Sequence, residues 1–520
     1  MSREGSMAWF GEHLSHVCSQ AQLGVVCAGL GIDLWQVAPG QLAPEERIDL
    51  LLEHLIETRQ LSAFGRALLS DVSVGAEARR LGLADVVPQD EAKVVSGHTR
   101  SGEQKPPPDA GAVETLVAAF HSRLAGGDPL GAYDILTEDL GGFEHLFCRL
   151  GRTQLFLELL RKLCPDLAAR ALQQDEAARE KYAQLLRFET EALRVTGQLE
   201  AALLTTQRQW PFSWEEQPEL WLAQARIQRL SGRLRHARRL AQKAQTLSPK
   251  VSVQGAAAAE LSHLALLLGD TAMCLLHLRQ SLSLWREAGR AEKTQDFWPI
   301  RLEILRAARA LRLQDVTQAR TWLEQTLVRA EQAGDLLSLA ETRVLLADAL
   351  RRDGEHQAAA QQWAEAMQFA SSSGAAEILC AAGREETRLL LEQNKYEAAA
   401  ATLGTALAMA EELMLGCCRI DLLNLRGHLA LRRSNTAQAE EDARNALALS
   451  MSPECGYAWG EADSLHLLAV TLLSSRPQAQ SLRHNEAISH LSDELELRDR
   501  MQDPTAPEVR WLIRRLRTFA

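Results

Sequence analysis

The sequence predicts an all-α chain: a small N-terminal helical bundle, a flexible linker, then a long array of stacked helical hairpins. Three observations predict it. Ala, Leu, Gln, Glu and Arg dominate the 520 residues, and these are strong helix formers. Runs of β-branched residues with period two are missing, which argues against a sizeable sheet. A frame of small residues recurs in the second half of the chain at a fixed spacing of 40 residues.

Residues 1–73 do not carry that frame. Phe10, Leu14 and Val17 fall on one helical face. Pro44 stands near a helix start, followed by a stripe at Ile48, Leu51, Leu52, Leu55 and Ile56, then Leu61, Phe64 and Leu68. This pattern predicts a compact helical module. Residues 74–110 lose periodicity. Their stretch VVSGHTRSGEQKPPPDAG is polar and rich in Pro and Gly, the composition of a flexible linker.

Residues 111–500 are predicted to form the array. The frame reads Ala359, Trp363, Ala366 after Gly354. It recurs as Ala399, Leu403, Ala406 and as Ala439, Ala443, Ala446, and more loosely as Ala319, Leu323, Thr326. Positions four and seven residues on share a helical face, so small side chains there let a neighbouring helix approach closely. The preceding helix carries its own stripe, for example Val344, Leu345, Ala347, Ala349 and Leu350. A hairpin of this kind cannot bury its apolar face alone and must stack. Further units centre on Ala202 with Gly197, on Cys274 with Gly269, and on Ala487.

The frame resembles the tetratricopeptide repeat. In PELWLAQARIQRLSGRLRHARRLAQKAQTLSPK, residues Trp221, Gly232, Ala237, Ala244 and Pro249 fall where that repeat has its Trp, turn Gly, two Ala and closing Pro. The family period is about 34 residues, so a 40-residue spacing implies longer helices or loops. The stretch CGYAWGEADSLHLLAVTLL, from Cys455, would be the first helix of the last full unit, its aromatics wedging it against the next. The inserted stretch Ser474 to His484 would lengthen the turn. Residues 501–520 read as a capping helix whose Val509, Leu512 and Leu516 cover the last hairpin. The array as a whole resembles those of bacterial STAND-type signalling proteins. The N-terminal module resembles effector-associated, death-domain-like modules, on ERIDLLLEHLIETRQLSAF and its Arg59-Gln60-Leu61-Ser62-Ala63-Phe64. That resemblance implies pairing with a like module on an effector protein, in a bacterial defence or signalling setting.

Bulk properties bound the function. Hydrophobic residues make up 46% and charged residues 24%, as in soluble globular proteins. No apolar run approaches the ~20 residues of a membrane span. The N-terminus lacks a basic-then-apolar signal pattern, so a cytoplasmic location is expected. The net charge of −11 disfavours general nucleic-acid binding. Nine cysteines at irregular spacing, with no C-x-x-C, suggest neither a disulfide framework nor a zinc site. No phosphate-cradling loop, G-x-S-x-G or H-E-x-x-H occurs, so neither a cofactor nor catalysis is expected.

Five features are candidate functional residues. Arg226, Arg229, Arg233, Arg235, Arg238, Arg239 and Lys243 could hold an acidic peptide or phosphate through guanidinium forks; the competing reading is a solvated outer face. Trp210, Phe212, Trp214 and Trp221 could line a peptide pocket or pack a joint between units. Trp35 in the head is either a contact or core. His145 with Cys148, and Cys417 with Cys418, could be reactive pairs or plain core. The expected function is a non-catalytic adaptor. Its array would bind a protein or peptide, its head would recruit an effector, and self-association through the head could coexist with this. The alternative is a ligand-sensing regulator of a partner enzyme or of transcription. A discrete pocket with convergent polar groups would favour the sensor, an extended groove the adaptor.

Overall fold

A computed structural model of the chain describes residues 110–172, 175–209, 217–292, 297–474 and 480–519. They belong to one compact unit, Pro106–Ala520. The expected N-terminal module, its Trp35, and most of the expected linker lie outside the described residues, as do Trp210, Phe212 and Trp214. The first helix begins at Ala110, a residue the sequence reading gave to the linker.

The unit opens with α1 (Ala110–Ala125), α2 (Pro129–Asp134), two π-helical segments (Ile135–Asp139 and Phe143–Arg149) and α3 (Thr153–Leu172). Hairpins follow: α4 (Glu176–Val195) with α5 (Leu199–Gln209), α6 (Gln217–Leu230) with α7 (Leu234–Leu247), and α8 (Val251–Leu267) with α9 (Thr271–Glu292). Next come α10 (Phe297–Arg312) with α11 (Val316–Ala333), α12 (Leu336–Arg352) with α13 (His356–Ser373), and α14 (Ala376–Glu392) with α15 (Tyr396–Glu412). The last pairs are α16 (Gly416–Arg432) with α17 (Thr436–Ser450) and α18 (Ala458–Ser474) with α19 (Gln480–Met501), before α20 (Ala506–Phe519). No strand occurs among the described residues. The architecture is a tetratricopeptide-like α-solenoid.

The two helices of a hairpin do different jobs. Second helices bury only the stripe of small residues. Ala319, Leu323, Thr326 and Ala330 in α11 are sealed, as are Ala399, Leu403, Ala406 and Ala410 in α15. Ala237, Ala244, Ala359, Ala366, Ala439, Ala446 and Ala487 are buried in the same way. The stripe thus runs one turn further than the sequence frame, to Ala330, Ala370, Ala410 and Ser450. First helices are buried over more of their surface than second helices, because each packs on its own partner and on the first helices before and after it. In α8 everything from Gly255 to Ser262 is buried. Asp315, Asp335 and Asn435 cap helix starts by accepting backbone N–H groups. Helix α19 begins at Gln480, inside the stretch expected to be turn. Helix α20 seats Val509 and Ile513 on the last hairpin, with Leu512 and Leu516 partly covered.

The turn within each of the first seven hairpins needs one left-handed residue. Gly197, Gly232, Gly269, Gln314, Gly354, Asn394 and Ser434 supply it. Gly354 has open space beyond its missing side chain. The three early glycines do not. A methyl at Gly232 would lie 3.0 Å from Gly416 Cα, and one at Gly269 would lie 2.7 Å from Met501 Cγ. One at Gly197 would lie 2.9 Å from Ala376 Cβ. The array therefore comes back on itself, so that early turns meet late ones.

Other contacts mark the same return. The Thr153 hydroxyl donates to Ser373 O (2.5 Å), and Trp459 Nε1 donates to Leu266 O (2.6 Å). Arg235 N donates to Glu454 O (3.0 Å), and Thr271 Oγ1 donates to Met501 O (3.2 Å). The sequence reading had the aromatics of CGYAWG wedged against the next unit. Trp459 instead reaches across the return to a residue 193 positions upstream.

Gly354→Ala should cost only the left-handed penalty, about 1–2 kcal/mol. Gly416→Ala places a methyl 2.6 Å from Gly232 Cα at a helix position where Ala is otherwise the better residue. It should destabilise by about 1–3 kcal/mol, as overpacking does. Denaturant midpoints of the two variants check this; a neutral or stabilising Gly416→Ala would mean that the two turns do not touch.

Candidate functional site

The return lines a partly open cavity of about 210 Å³. It is lined by the first helices α4, α6, α8, α10, α12, α14 and α16, with Tyr457 from the turn before α18. The lining follows the 40-residue period. Arg301, Glu341, Ala381 and Asp421 share one register; Ile304, Val344 and Arg384 share another; Ala308, Asp348 and Arg388 share a third. Arg312 and Arg352 close the series. One structural position thus carries opposite charges in successive units.

Seven arginines and four carboxylates line the cavity, an excess of positive charge in a chain of net charge −11. Carboxylates behind the wall take up much of that excess. At one end Arg229 is almost fully buried and donates to Glu260 (2.9 Å) and Glu377 (2.8 Å). Arg229 ends α6 and Glu377 starts α14, so each charge also suits its helix dipole. Burial opposes both charges, yet the two carboxylates raise the Arg229 pKa, and Arg229 brings Glu377 down to about 2. Arg194 pairs with Glu191 (2.6 Å). Burial, helped by Arg229, pushes His263 down to about 4, so its imidazole is neutral at pH 7. Burial raises the Glu341 carboxyl, against the pull of Arg301.

At the other end the charges form a chain across five elements. Arg352 holds Asp348 (2.8 Å), and Asp348 also takes Arg351 (2.5 Å). Arg388 and Arg384 share Glu385 (2.8 Å each), and Arg384 reaches Asp421 (2.5 Å). The Tyr457 hydroxyl donates to Asp421 (3.0 Å) and accepts from Arg312 (3.0 Å). The Arg312 guanidinium also lies 5.2 Å from the Trp459 ring centroid.

The arginine cluster expected from the sequence is split by this geometry. Arg229 is in the wall, and Arg226, also on α6, is pushed down to about 10 by burial. Arg233, Arg235 and Arg239 are exposed on the outside. There Arg235 donates to Pro453 O (3.0 Å) and Arg239 meets Glu454 (3.2 Å), so both clasp the returning turn. Lys243 lies over the Trp221 ring at 3.8 Å, and Trp221 is buried. Pro249 is exposed in the link from α7 to α8. His145 and Cys148 are buried in the second π-helical segment and do not line the cavity. Cys417 and Cys418 do line it, and the Cys417 thiol shares a hydrogen bond with Cys455. Among the described residues no group of three or more His, Cys, Asp or Glu is placed to hold a metal ion.

Sequence reasoning missed Arg194, His263, Arg301, Arg312, Glu341, Glu377, Arg384, Asp421 and Tyr457. The signal was present: the 40-residue period, applied to the first helix of each hairpin, shows charges where a core helix repeats apolar residues.

No protein-family model matches the sequence, and no curated protein sequence does. Among solved structures, a Rap protein complexed with competence and sporulation factor is similar over 65% of this chain and 97% of its own, at 11% identity and a TM-score of 0.44. A STAND protein with a tetratricopeptide repeat sensor from Pyrococcus horikoshii is similar over 88% and 70%, at 13% identity and 0.37. Aspartyl phosphate phosphatase F from Bacillus subtilis is similar over 76% and 96%, at 13% identity and 0.39. None of these likenesses assigns a role to a residue of this chain.

Two pH windows follow from the site. Glu377, held at about 2 against an ordinary 4.5, contributes stability that is present above pH 4.5 and lost as pH falls toward 2. His263, held at about 4 against 6.5, makes the unfolded chain the better proton acceptor between those values, so stability falls as pH drops through them. Burial also holds His428 at about 4, which adds to the upper window. Equilibrium unfolding against pH should show Glu377→Gln flattening the lower window. His263→Gln should reduce the upper slope without abolishing it. An unchanged slope in either variant would mean that the group titrates normally.

Proposed function

We propose that the chain is a non-catalytic regulator whose repeat array binds a ligand in its interior. The observation that carries this reading is the convergence of seven inner helices and Tyr457 on one charged cavity. A solenoid that returns on itself leaves a discrete cavity with convergent polar groups, where an open superhelix leaves a groove. Occupancy would change the balance of the charge chain that joins α10, α12, α14 and α16. Residues 1–73 would carry the outcome to an effector with a like module. The bacterial defence or signalling setting rests on the sequence resemblance alone.

A second reading keeps the array as a protein or peptide adaptor that uses its outer side. It is favoured by a groove of about 540 Å³ where Ala400, Gly404 and Ala408 are accessible beside Glu411, Arg426 and Arg433.

The full chain, incubated separately with the small-molecule and macromolecular fractions of a cell extract, separates the two. Under the first reading the small-molecule fraction raises the melting temperature and slows hydrogen exchange in α10, α12 and α14. If only the macromolecular fraction acts, and protection falls on α15 and α17, the adaptor reading replaces it.

A further inference from the structure

Two charges in the cavity wall stand apart from the rest. Arg194, Arg229, Arg352, Arg384 and Arg388 each hold a carboxylate at 2.5–2.9 Å. Among the described residues, no carboxylate is within ion-pair reach of Arg312; its one hydrogen bond is to the neutral Tyr457 hydroxyl. No described residue makes an ion pair or hydrogen bond with Glu341, whose electrostatic neighbours are led by Arg301. Both side chains are partly accessible, and both line the cavity. A charge removed from water without a partner is costly, so the cavity is where each would find one.

Their placement sets the shape of an occupant. Glu341 shares the register of Arg301, and Arg312 lies eleven residues further along its helix than Arg301. At 1.5 Å per residue the two levels are about 16 Å apart. Between the two levels α10 and α12 present Ile304, Leu305, Ala308, Val344 and Leu345, while the charges at the same levels, Asp348, Arg384 and Arg388, are already paired. The Tyr457 hydroxyl and the Trp459 ring fix the Arg312 fork, which leaves other N–H groups of the guanidinium to bind an oxyanion.

We propose that the cavity binds an elongated zwitterion: a carboxylate on Arg312, an ammonium on Glu341, and an aliphatic middle against Ile304, Leu305 and Val344. The proposal rests on the reading of the cavity as a ligand site and adds the ligand's class to it.

A ruler of ω-amino acids tests it. The full chain is titrated with γ-aminobutyrate, ε-aminocaproate and ω-aminoundecanoate, and with the alkanoate and alkylamine of each length. Melting temperature and calorimetric affinity are the readouts. One ω-amino acid should bind best, with shorter and longer homologues weaker, and it should exceed both of its one-charge analogues. Glu341→Gln and Arg312→Met should each weaken it by about ten- to a hundredfold, the range of a lost charged hydrogen bond. Arg312→Lys keeps the charge but loses the fork; it should weaken binding less, and it stands in should Arg312→Met fail to fold. The proposal is overturned if the alkanoate binds as tightly as the amino acid, if Glu341→Gln leaves the affinity unchanged, or if no member of the series binds. If cell-extract small molecules stabilise the chain while the whole series fails, the cavity remains a ligand site and the zwitterion is wrong. If neither acts, both fall.

Discussion

The structure depends on one close approach, the backbone contact between the turn at Gly232 and the helix start at Gly416. Repeat arrays ordinarily hold together through neighbouring units alone. Here the chain also binds itself across about 200 residues, through Trp459 to Leu266, Thr153 to Ser373 and Thr271 to Met501. Two glycines at the contact let the backbones meet where any side chain would hold them apart. Everything inside the array follows from that, because a surface that would be an open groove becomes the wall of a cavity.

Burial explains the charge chemistry. Buried ion pairs contribute little net stability, but breaking one is expensive. The pairs here join helices that are not partners in a hairpin: Arg229 joins α6 to α8 and α14, and Arg384 joins α14 to α16. Apolar contacts between inner helices tolerate sliding. A guanidinium seated between two carboxylates does not, so the network fixes how the inner helices align. A wall built this way is stiff where the charges pair and responsive where they do not.

The outer face has a plainer logic. The second helices contribute one sealed stripe of small residues and leave the rest of their surface to water and to exposed pairs such as Arg320 with Glu324. Exposed pairs of that kind contribute little. Their arginines are numerous enough in the sequence to draw attention, which is why Arg233, Arg235 and Arg239 looked like a site. Two of them instead clasp the returning turn.

By itself the sequence determined the helical class, the hairpin unit, the 40-residue period and the buried alanines of the second helices. These are local properties: propensity, a face repeated at four and seven residues, and turns that need a left-handed residue. It also contained the cavity residues, since Arg301, Glu341 and Asp421 obey the same period, but their register is informative only once the first helices are known to face inward. The tertiary structure alone decided that the array returns on itself, that Trp459 reaches across the return, and that Arg312 and Glu341 face a common space with no ion-pair partner among the described residues. Those outcomes depend on small rotations between units summed over about five of them, and no local pattern in the chain records that sum.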